Sequence, residues 1–241
     1  MRNRIEGLIV KELTSRLLVV QDGGDSLREF WKRLRASGAR IDAVATDMSP
    51  VYIDAVTTHL PRATLVFDRF HVMKLFNDKL SNFRRELHRE ATDLLHKQAL
   101  KGTRWLLLKR PENLDEKRNE PQRLAEALKL NEPLATAYYL KEDLAEVWEQ
   151  EDEQTAQAFL LDWIAQAESS GIGMFNQFAR TLRLHAIGIL AWYDYPISTG
   201  PLEGANNKIK TMKRQAYGFR DPDFLQLKIL GIHETKYALV G

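Results

Sequence analysis

The 241 residues of the chain are enough for one large domain or for a domain with a substantial insertion, and a hydrophobic content of 44% is enough for a packed core. The chain has no cysteine, which excludes disulfides and cysteine-ligated metal sites and leaves oxygen or imidazole as metal ligands. No apolar run approaches the roughly 20 residues of a membrane span, and the basic N-terminus is not followed by an apolar segment, so we expect a cytoplasmic protein with no membrane partner.

Charge is segregated along the chain, although the formal net charge is only +2. Residues 112–153 are rich in Asp and Glu, whereas residues 204–220 contain no acid and five cations: Lys208, Lys210, Lys213, Arg214 and Arg220. Such cations often form an ordinary solvated helix face. The complete lack of acids among them favours contact with phosphates instead.

The first elements are predicted to be a β-hairpin and a helix. Short apolar runs flank Thr14 and Ser15 and close on Asp22-Gly23-Gly24, a pattern typical of a hairpin followed by a turn. Ser26 and Glu29 form a capping-box pattern, and apolar residues recur at helical spacing up to Gly38.

Two short apolar strands come next, and each ends in an aspartate. The segment IDAVAT (residues 41–46) precedes Asp47, a helix opens at Ser49-Pro50 and runs to about Leu60, and ATLVF (residues 63–67) precedes Asp68. Two strands joined through a helix favour a parallel pair with a right-handed crossover. We therefore expect Asp47 and Asp68 to lie at the same edge of a sheet, on neighbouring strands.

The middle of the chain is predicted to be an all-helical insertion. Apolar residues keep helical spacing from Phe70 to about Lys101, and further helical windows lie near 121–130, 133–150, 154–168 and 174–190. The segment RWLLLKR (residues 104–110) is ambiguous. Pro196, Gly200 and Pro201 then end the pattern before a short basic helix. The predicted division is 1–75 for the first part of a core, 76–195 for the insertion and 196–241 for the rest of the core.

Three segments carry a resemblance to a known family: ATDMSPVYIDAV, HLPRATLVFDRFHVMKL and ISTGPLEGANNKIKTMKRQAYGFRD. Together they resemble the insertion-sequence transposases of the ISL3 type, a DDE group. The resemblance implies an α/β fold with a ribonuclease-H-like core and a large α-helical insertion. It also implies metal-dependent DNA cleavage at element ends and strand transfer to target DNA.

The resemblance assigns roles to four residues around the sheet edge. It makes Asp47 the second metal-binding carboxylate and Glu203 the third, with Mg²⁺ or Mn²⁺ as the implied metal. Two-metal phosphoryl transfer needs acidic oxygens that converge on ions about 4 Å apart, which these residues would provide if residues between them loop out as a subdomain. Asp68 and His71 match an aspartate-x-x-histidine pair that we expect behind the metal ligands, where it orients them without binding the metal. In the alternative interpretation, each acid only favours a helix N-terminus, and Asp68 with His71 forms a surface ion pair or a helix-start hydrogen bond.

The implied partner is DNA, both element ends and target, together with a second copy of the chain or a full-length transposase. The expected DNA-contacting residues share a position beside the two acids or on the basic helix: Arg69, Asn206, Asn207, Lys208, Lys210, Lys213, Arg214 and Arg220.

One part of the family pattern has no match in this sequence. The family's first Asp lies on a strand upstream of the hairpin, and in the family core that strand separates the hairpin from the strand of Asp47. We therefore expect an N-terminally truncated core with a missing first strand. Three functions stay open: a transposase catalytic domain that is incomplete on its own, a non-catalytic DNA-binding or regulatory remnant, and a structure-selective nuclease.

Two further residues allow either a structural or a functional interpretation. Trp105, flanked by Arg104, Lys109 and Arg110, is either a core residue or an aromatic that stacks on an unpaired base, and we favour the core. His185 lies among apolar residues at helical spacing, and we expect a partly buried packing histidine.

Overall fold

The computed structural model describes residues 9–12, 31–32, 34–218 and 220–230. Three strands are present in this part of the chain: β1 Ile9–Glu12, β2 Ile41–Thr46 and β3 Thr64–Phe67. The labelled helices are α1 Pro50–His59, α2 Arg69–Glu90, α3 Leu94–Leu100, α4 Arg104–Leu108, α5 Glu120–Leu130, α6 Glu132–Glu146, α7 Glu153–Ser169, α8 Gly173–Leu190, α9 Gly200–Gln215 and α10 Pro222–Leu230. The predicted hairpin beyond β1 and the predicted helix start at Ser26 lie outside the described residues.

The fold is α/β and predominantly helical, and it divides into two compact units. One unit comprises residues 1–45 and 198–241, and the other comprises residues 46–197. The second unit contains α1, β3 and the helices from α2 to α8. The ribonuclease-H-like core and the domain division at residues 75 and 195 stay predictions.

The sheet has the strand order β1-β2-β3. β1 pairs antiparallel with β2, with Ile9 opposite Ala45 and Val10 opposite Val44, and the register shifts between Lys11 and Glu12. β1 falls in the first arm of the predicted hairpin and pairs directly with the strand of Asp47, so no further strand lies between these two; the N-terminal truncation stays a prediction. Pairing satisfies backbone N–H and C=O groups that an open strand edge would leave without partners.

The β2–α1–β3 segment matches its prediction closely. β2 coincides with the predicted strand, Ser49 is the N-cap residue of α1, and Pro50 occupies the first turn, where its missing N–H costs no hydrogen bond. The backbone N–H of Asp68 donates to the carbonyl of Thr46 at 3.4 Å. The ends of β2 and β3 are thus adjacent, which confirms that Asp47 and Asp68 follow neighbouring strands at one edge of the sheet.

The long helix predicted from Phe70 to Lys101 is two helices, α2 and α3. Ala91 adopts an extended ψ of 126° after α2, and the carboxylate of Asp93 accepts a hydrogen bond from the N–H of His96 to open α3. An aspartate at an N-cap satisfies a backbone donor that the helix itself cannot, so it starts a new helix in place of continuing the old one. The ambiguous segment at 104–110 forms the short helix α4.

The core of the second unit is an aromatic cluster centred on Phe76 of α2. Its ring stacks on Phe175 at 5.1 Å and meets Phe178 and Trp163 edge to face. These side chains are fully buried, and Trp163 donates its indole N–H to the Leu140 carbonyl at 2.8 Å. Burial of several large aromatic side chains is the main stabilising contribution to such a helical unit. No helix in the described part of the chain is both long and apolar enough to cross a membrane.

Candidate active site and nucleic-acid interface

Asp47 directly follows β2, half-buried, at the start of the turn into α1. Its Oδ1 accepts a hydrogen bond from the backbone N–H of Ser49 at 3.0 Å. This Asx-type turn fixes the orientation of the carboxylate. Among the described residues no other hydrogen bond to this side chain is present, so Oδ2 remains available to a ligand.

Asp68 follows β3 and is almost completely buried, with 2% of its surface exposed. Its Oδ1 accepts from the N–H of Phe70 at 3.3 Å, so Asp68 is the N-cap of α2. Its Oδ2 lies 3.6 Å from Nδ1 of His71, one turn along the same helix. The helix-start hydrogen bond that we considered for Asp68 is therefore present, and the His71 imidazole faces the same carboxylate.

His71 and Phe70 form the outer rim of this edge. Their rings meet edge to face at 5.6 Å, and the ammonium of Lys74 lies 5.9 Å from the Phe70 ring centre. Phe70 is 45% exposed, whereas 24% of the His71 side chain is exposed. The order from interior to solvent is therefore Asp68, His71, Phe70.

Arg69 joins this edge to the helical part of the second unit. Its Nη1 donates to Oε1 of Glu149 at 2.7 Å, and its guanidinium lies 5.8 Å from the ring centre of Trp148. A paired arginine loses part of its attraction for phosphate, because the carboxylate already neutralises its charge. Sequence reasoning missed this pair, since the partners are 80 residues apart.

His185 packs beneath the same edge. Its ring meets Phe67, the last residue of β3, edge to face at 5.0 Å, and burial lowers the pKa of its imidazole. The expectation of a partly buried packing histidine is confirmed.

The basic helix predicted after Pro201 is α9, which spans Gly200–Gln215. Helical spacing places positions 203, 207, 210 and 214 on one stripe of this helix, because they are separated by four, three and four residues. The stripe thus combines the position of Glu203 with Asn207, Lys210 and Arg214. Position 206 falls on another part of the helix surface.

The cations of α9 and the residues after it are available for binding. Lys208, Lys210, Arg214 and Arg220 are exposed and Lys213 is half-buried, while the neighbouring Ile209 is buried. Within the described chain, none of these five cations forms an ion pair. Unneutralised cations on one helix are the usual feature of a phosphate-contacting surface.

A divalent metal needs hard oxygen ligands, and Asp47 supplies one carboxylate oxygen of suitable chemistry. The residues that the structure describes contain no group of three or more His, Asp and Glu side chains arranged to hold a metal ion. The Glu203 side chain lies outside this description. Convergence of Asp47 and Glu203 on a metal therefore stays a prediction.

The prediction that Trp105 is a core residue is wrong. Trp105 is 64% exposed on α4, while the next two residues of the same helix, Leu106 and Leu107, are buried. Five residues give little more than one turn of amphipathic pattern, so sequence alone does not distinguish which side faces the core.

The sequence profile of the ISL3 family, described as a transposase, matches residues 7–229. The chain is 38% identical over 208 residues to the transposase for insertion sequence element IS1001 of Bordetella parapertussis, an alignment that covers 85% of this chain and 51% of that protein. It is 30% identical over 243 residues to the transposase for insertion sequence element IS1557 of Mycobacterium tuberculosis, with 90% of this chain and 54% of that protein covered.

The chain spans about half the length of these curated relatives. No solved structure matches it significantly. The profile match covers the β-strands, the helices from α1 to α8 and the α9 helix with its basic stripe. The chain therefore belongs to the ISL3 family of insertion-sequence transposases.

Proposed function

We propose that this chain carries the catalytic region of a DDE transposase that cleaves DNA at element ends and joins the freed ends to target DNA. The observation that carries the proposal is the position of Asp47. It follows a buried strand, its Oδ1 is held by the Ser49 N–H, and its Oδ2 takes no hydrogen bond from the described residues. A carboxylate fixed on one oxygen and open on the other is suited to bind a hard cation.

In this proposal Asp47 and Glu203 hold Mg²⁺ or Mn²⁺. The metal, when bound, would activate the attacking hydroxyl and stabilise the leaving oxygen at phosphorus. Asp68 caps α2 and keeps His71 at the rim, so this pair orients the edge of the site without binding the metal. Arg69, held by Glu149, contributes to the shape of the same edge, and a phosphate could recruit it only by competing with that carboxylate.

The DNA is held by α9 and the segment after it. The shared stripe of positions 203, 207, 210 and 214 supports this part of the proposal, because it would put cations and an amide beside the proposed metal-binding glutamate. Lys210 and Arg214 contact phosphates of the strand being cut, and Asn207 contacts a sugar or a base edge.

The proposal is tested with Asp47→Asn and Glu203→Gln, each made in a chain extended at its N-terminus by the family's first strand and its Asp, in a metal-dependent nicking assay on supercoiled DNA that carries the element ends. Each substitution keeps the shape of the side chain and removes the charge that a divalent ion needs. We expect each to lower Mn²⁺-dependent nicking by at least about 100-fold, since loss of one metal ligand removes several kcal/mol of transition-state stabilisation.

Two exposed aspartates serve as matched controls: Asp54→Asn on α1 and Asp223→Asn in the first turn of α10. They should nick as the unmodified chain does. A second readout is the shift in melting temperature on adding Mn²⁺, which Asp47→Asn should abolish. Unchanged nicking and an unchanged Mn²⁺ shift in both site variants would refute the metal assignment.

DNA binding without cleavage is a second candidate, favoured by the unpaired cations of α9. Both candidates predict salt-sensitive binding. Lys210→Gln and Arg214→Gln should each reduce the slope of log K against log salt by about 0.9, whereas Lys129→Gln, an exposed lysine of α5, should leave it unchanged. Salt-sensitive binding with no nicking in Mn²⁺ would favour the second candidate.

A further inference from the structure

Trp105 is unlike the other tryptophans of the chain. Of the five, Trp31, Trp148 and Trp163 are buried and Trp192 is half-buried, whereas Trp105 is 64% exposed. A tryptophan exposes a large apolar surface to water only at a cost, and such rings are enriched where a partner covers them. The aromatic ring on α4 therefore needs an explanation that packing within the unit does not give.

One face of the indole already carries a cation. The guanidinium carbon of Arg104 lies 4.7 Å from the ring centre of Trp105. This contact is within the range of a cation–π interaction.

Further cations lie near the turn that precedes α4. Arg84 donates to the Leu100 carbonyl at 3.0 Å, at the end of α3, and lies close enough to Arg85 and Arg104 for their charges to interact. The guanidinium of Arg123 reaches Gly102, where a Cβ would lie 3.2 Å from its Nη2. We define the Trp105 patch by its ring and its cations: Arg84, Arg85, Lys101, Arg104, Trp105 and Arg123.

The charge of the Trp105 patch is not neutralised within the described chain, because none of its five cations forms an ion pair there. Arg85, Lys101, Arg104 and Arg123 are exposed. Burial together with the charges of Arg85 and Arg104 lowers the pKa of the Arg84 guanidinium. Cations held together without an ion pair repel one another, and a polyanionic partner would relieve that repulsion.

A polyanion that also covers a tryptophan ring is a nucleic acid with an accessible base. In a continuous duplex each base is covered by its neighbours, so an aromatic side chain stacks on a base only where the base is unpaired or turned out of the helix. Phosphates on either side of such a base would meet the surrounding arginines.

We propose that the Trp105 patch binds DNA at an unpaired base, with Trp105 stacking on the base and Arg85, Arg104 and Arg123 contacting the flanking phosphates. The inference rests on the proposed function only in taking DNA as the substrate, and it adds a contact in the helical insertion that is separate from Asp47 and α9. The patch thereby selects distorted or opened DNA over a continuous duplex.

The test compares the affinity of the full chain for two fluorescein-labelled DNAs, a continuous duplex and the same duplex with one unpaired thymine. The variants are Trp105→Ala, which removes the ring, and Trp105→Phe, which keeps an aromatic face. The aromatic control is Tyr139→Ala, because Tyr139 is 59% exposed on α6 of the same insertion and lies outside the cationic patch.

We expect the unmodified chain to bind the DNA with the unpaired thymine more tightly. Trp105→Ala should weaken that binding by about 5- to 150-fold while leaving duplex affinity unchanged, which is the range for loss of one base–aromatic stack. Trp105→Phe should retain most of the preference, and Tyr139→Ala all of it. Stacking should also quench tryptophan emission, and Trp105→Phe should abolish that quenching, a signal that a purely structural role would not move.

The inference would be overturned if Trp105→Ala bound both DNAs as tightly as the unmodified chain does and if the tryptophan quenching persisted in Trp105→Phe. Duplex binding that still depends on Lys210 and Arg214 would then leave the proposed function standing. A preference for the unpaired thymine that depends on Trp105, in a chain that neither nicks DNA nor responds to Lys210→Gln, would support the inference and refute the proposed function. No binding to either DNA would refute both.

Discussion

Gly188 lies in α8 against the end of β3, where there is no room for a side chain. A methyl group at this position would lie 2.6 Å from two ring carbons of Phe67 and 3.2 Å from the Leu65 carbonyl oxygen. Phe67 is 3% exposed, so its ring can yield only by displacing the groups packed around it. Gly188→Ala must therefore displace either α8 or the strand that leads to Asp68.

The expected change in the free energy of unfolding for Gly188→Ala is the difference between two opposing contributions. Alanine is better than glycine inside a helix by about 1 kcal/mol. Overpacking a well-filled core costs about 1–3 kcal/mol, and a contact of 2.6 Å to a buried ring belongs near the upper end. The expected net loss is about 1–2 kcal/mol, which lowers the melting temperature by roughly 2–8 °C for a unit of this size.

Urea unfolding followed by tryptophan fluorescence measures this loss directly. Gly173→Ala is the matched control, because a methyl group at that position, in the first turn of the same helix, meets nothing within 4 Å and should cost no stability. In a Phe67→Leu background the cost of Gly188→Ala should fall, since the smaller side chain leaves space. A Gly188→Ala variant as stable as the unmodified chain, or an equal cost in both backgrounds, would refute the close approach of α8 to β3.

Three further predictions concern buried or partly buried polar groups. Burial lowers the pKa of His185, so the imidazole binds a proton less readily in the folded protein than in the unfolded chain. Stability should therefore fall as the pH drops below about 6.5. His185→Gln should reduce the fall in melting temperature between about pH 7.5 and 5.5. Asp68→Ala should cost about 1 kcal/mol through loss of the α2 cap, whereas Asp68→Asn, which keeps an acceptor, should cost less than half of that in the same urea experiment. The ammonium of Lys141 donates to the carbonyls of Leu107 and Lys109 at 2.8 and 2.9 Å. Lys141→Met leaves both carbonyls unpaired and should cost about 1–3 kcal/mol of stability. Equal urea midpoints for the variant and the unmodified chain would contradict this.

Local sequence patterns determined the elements around the candidate site. The bounds of β2, the start of α1 at Ser49-Pro50 and the end of β3 before Asp68 agree with the prediction because strand alternation, proline and N-cap residues act within a few neighbouring residues. The adjacency of Asp47 and Asp68 follows from the same patterns, since a strand–helix–strand unit places consecutive strands side by side. Family membership was likewise readable from contiguous motifs.

Only the tertiary structure decided which polar and aromatic side chains are paired, buried or exposed to solvent. Arg69 is paired with Glu149, Lys141 is buried between two carbonyls, and Trp105 faces solvent among arginines. None of these outcomes is encoded in local spacing, because each depends on helices brought together from distant parts of the chain. Burial and charge pairing are properties of the packed unit, whereas strand and helix boundaries are set by neighbouring residues.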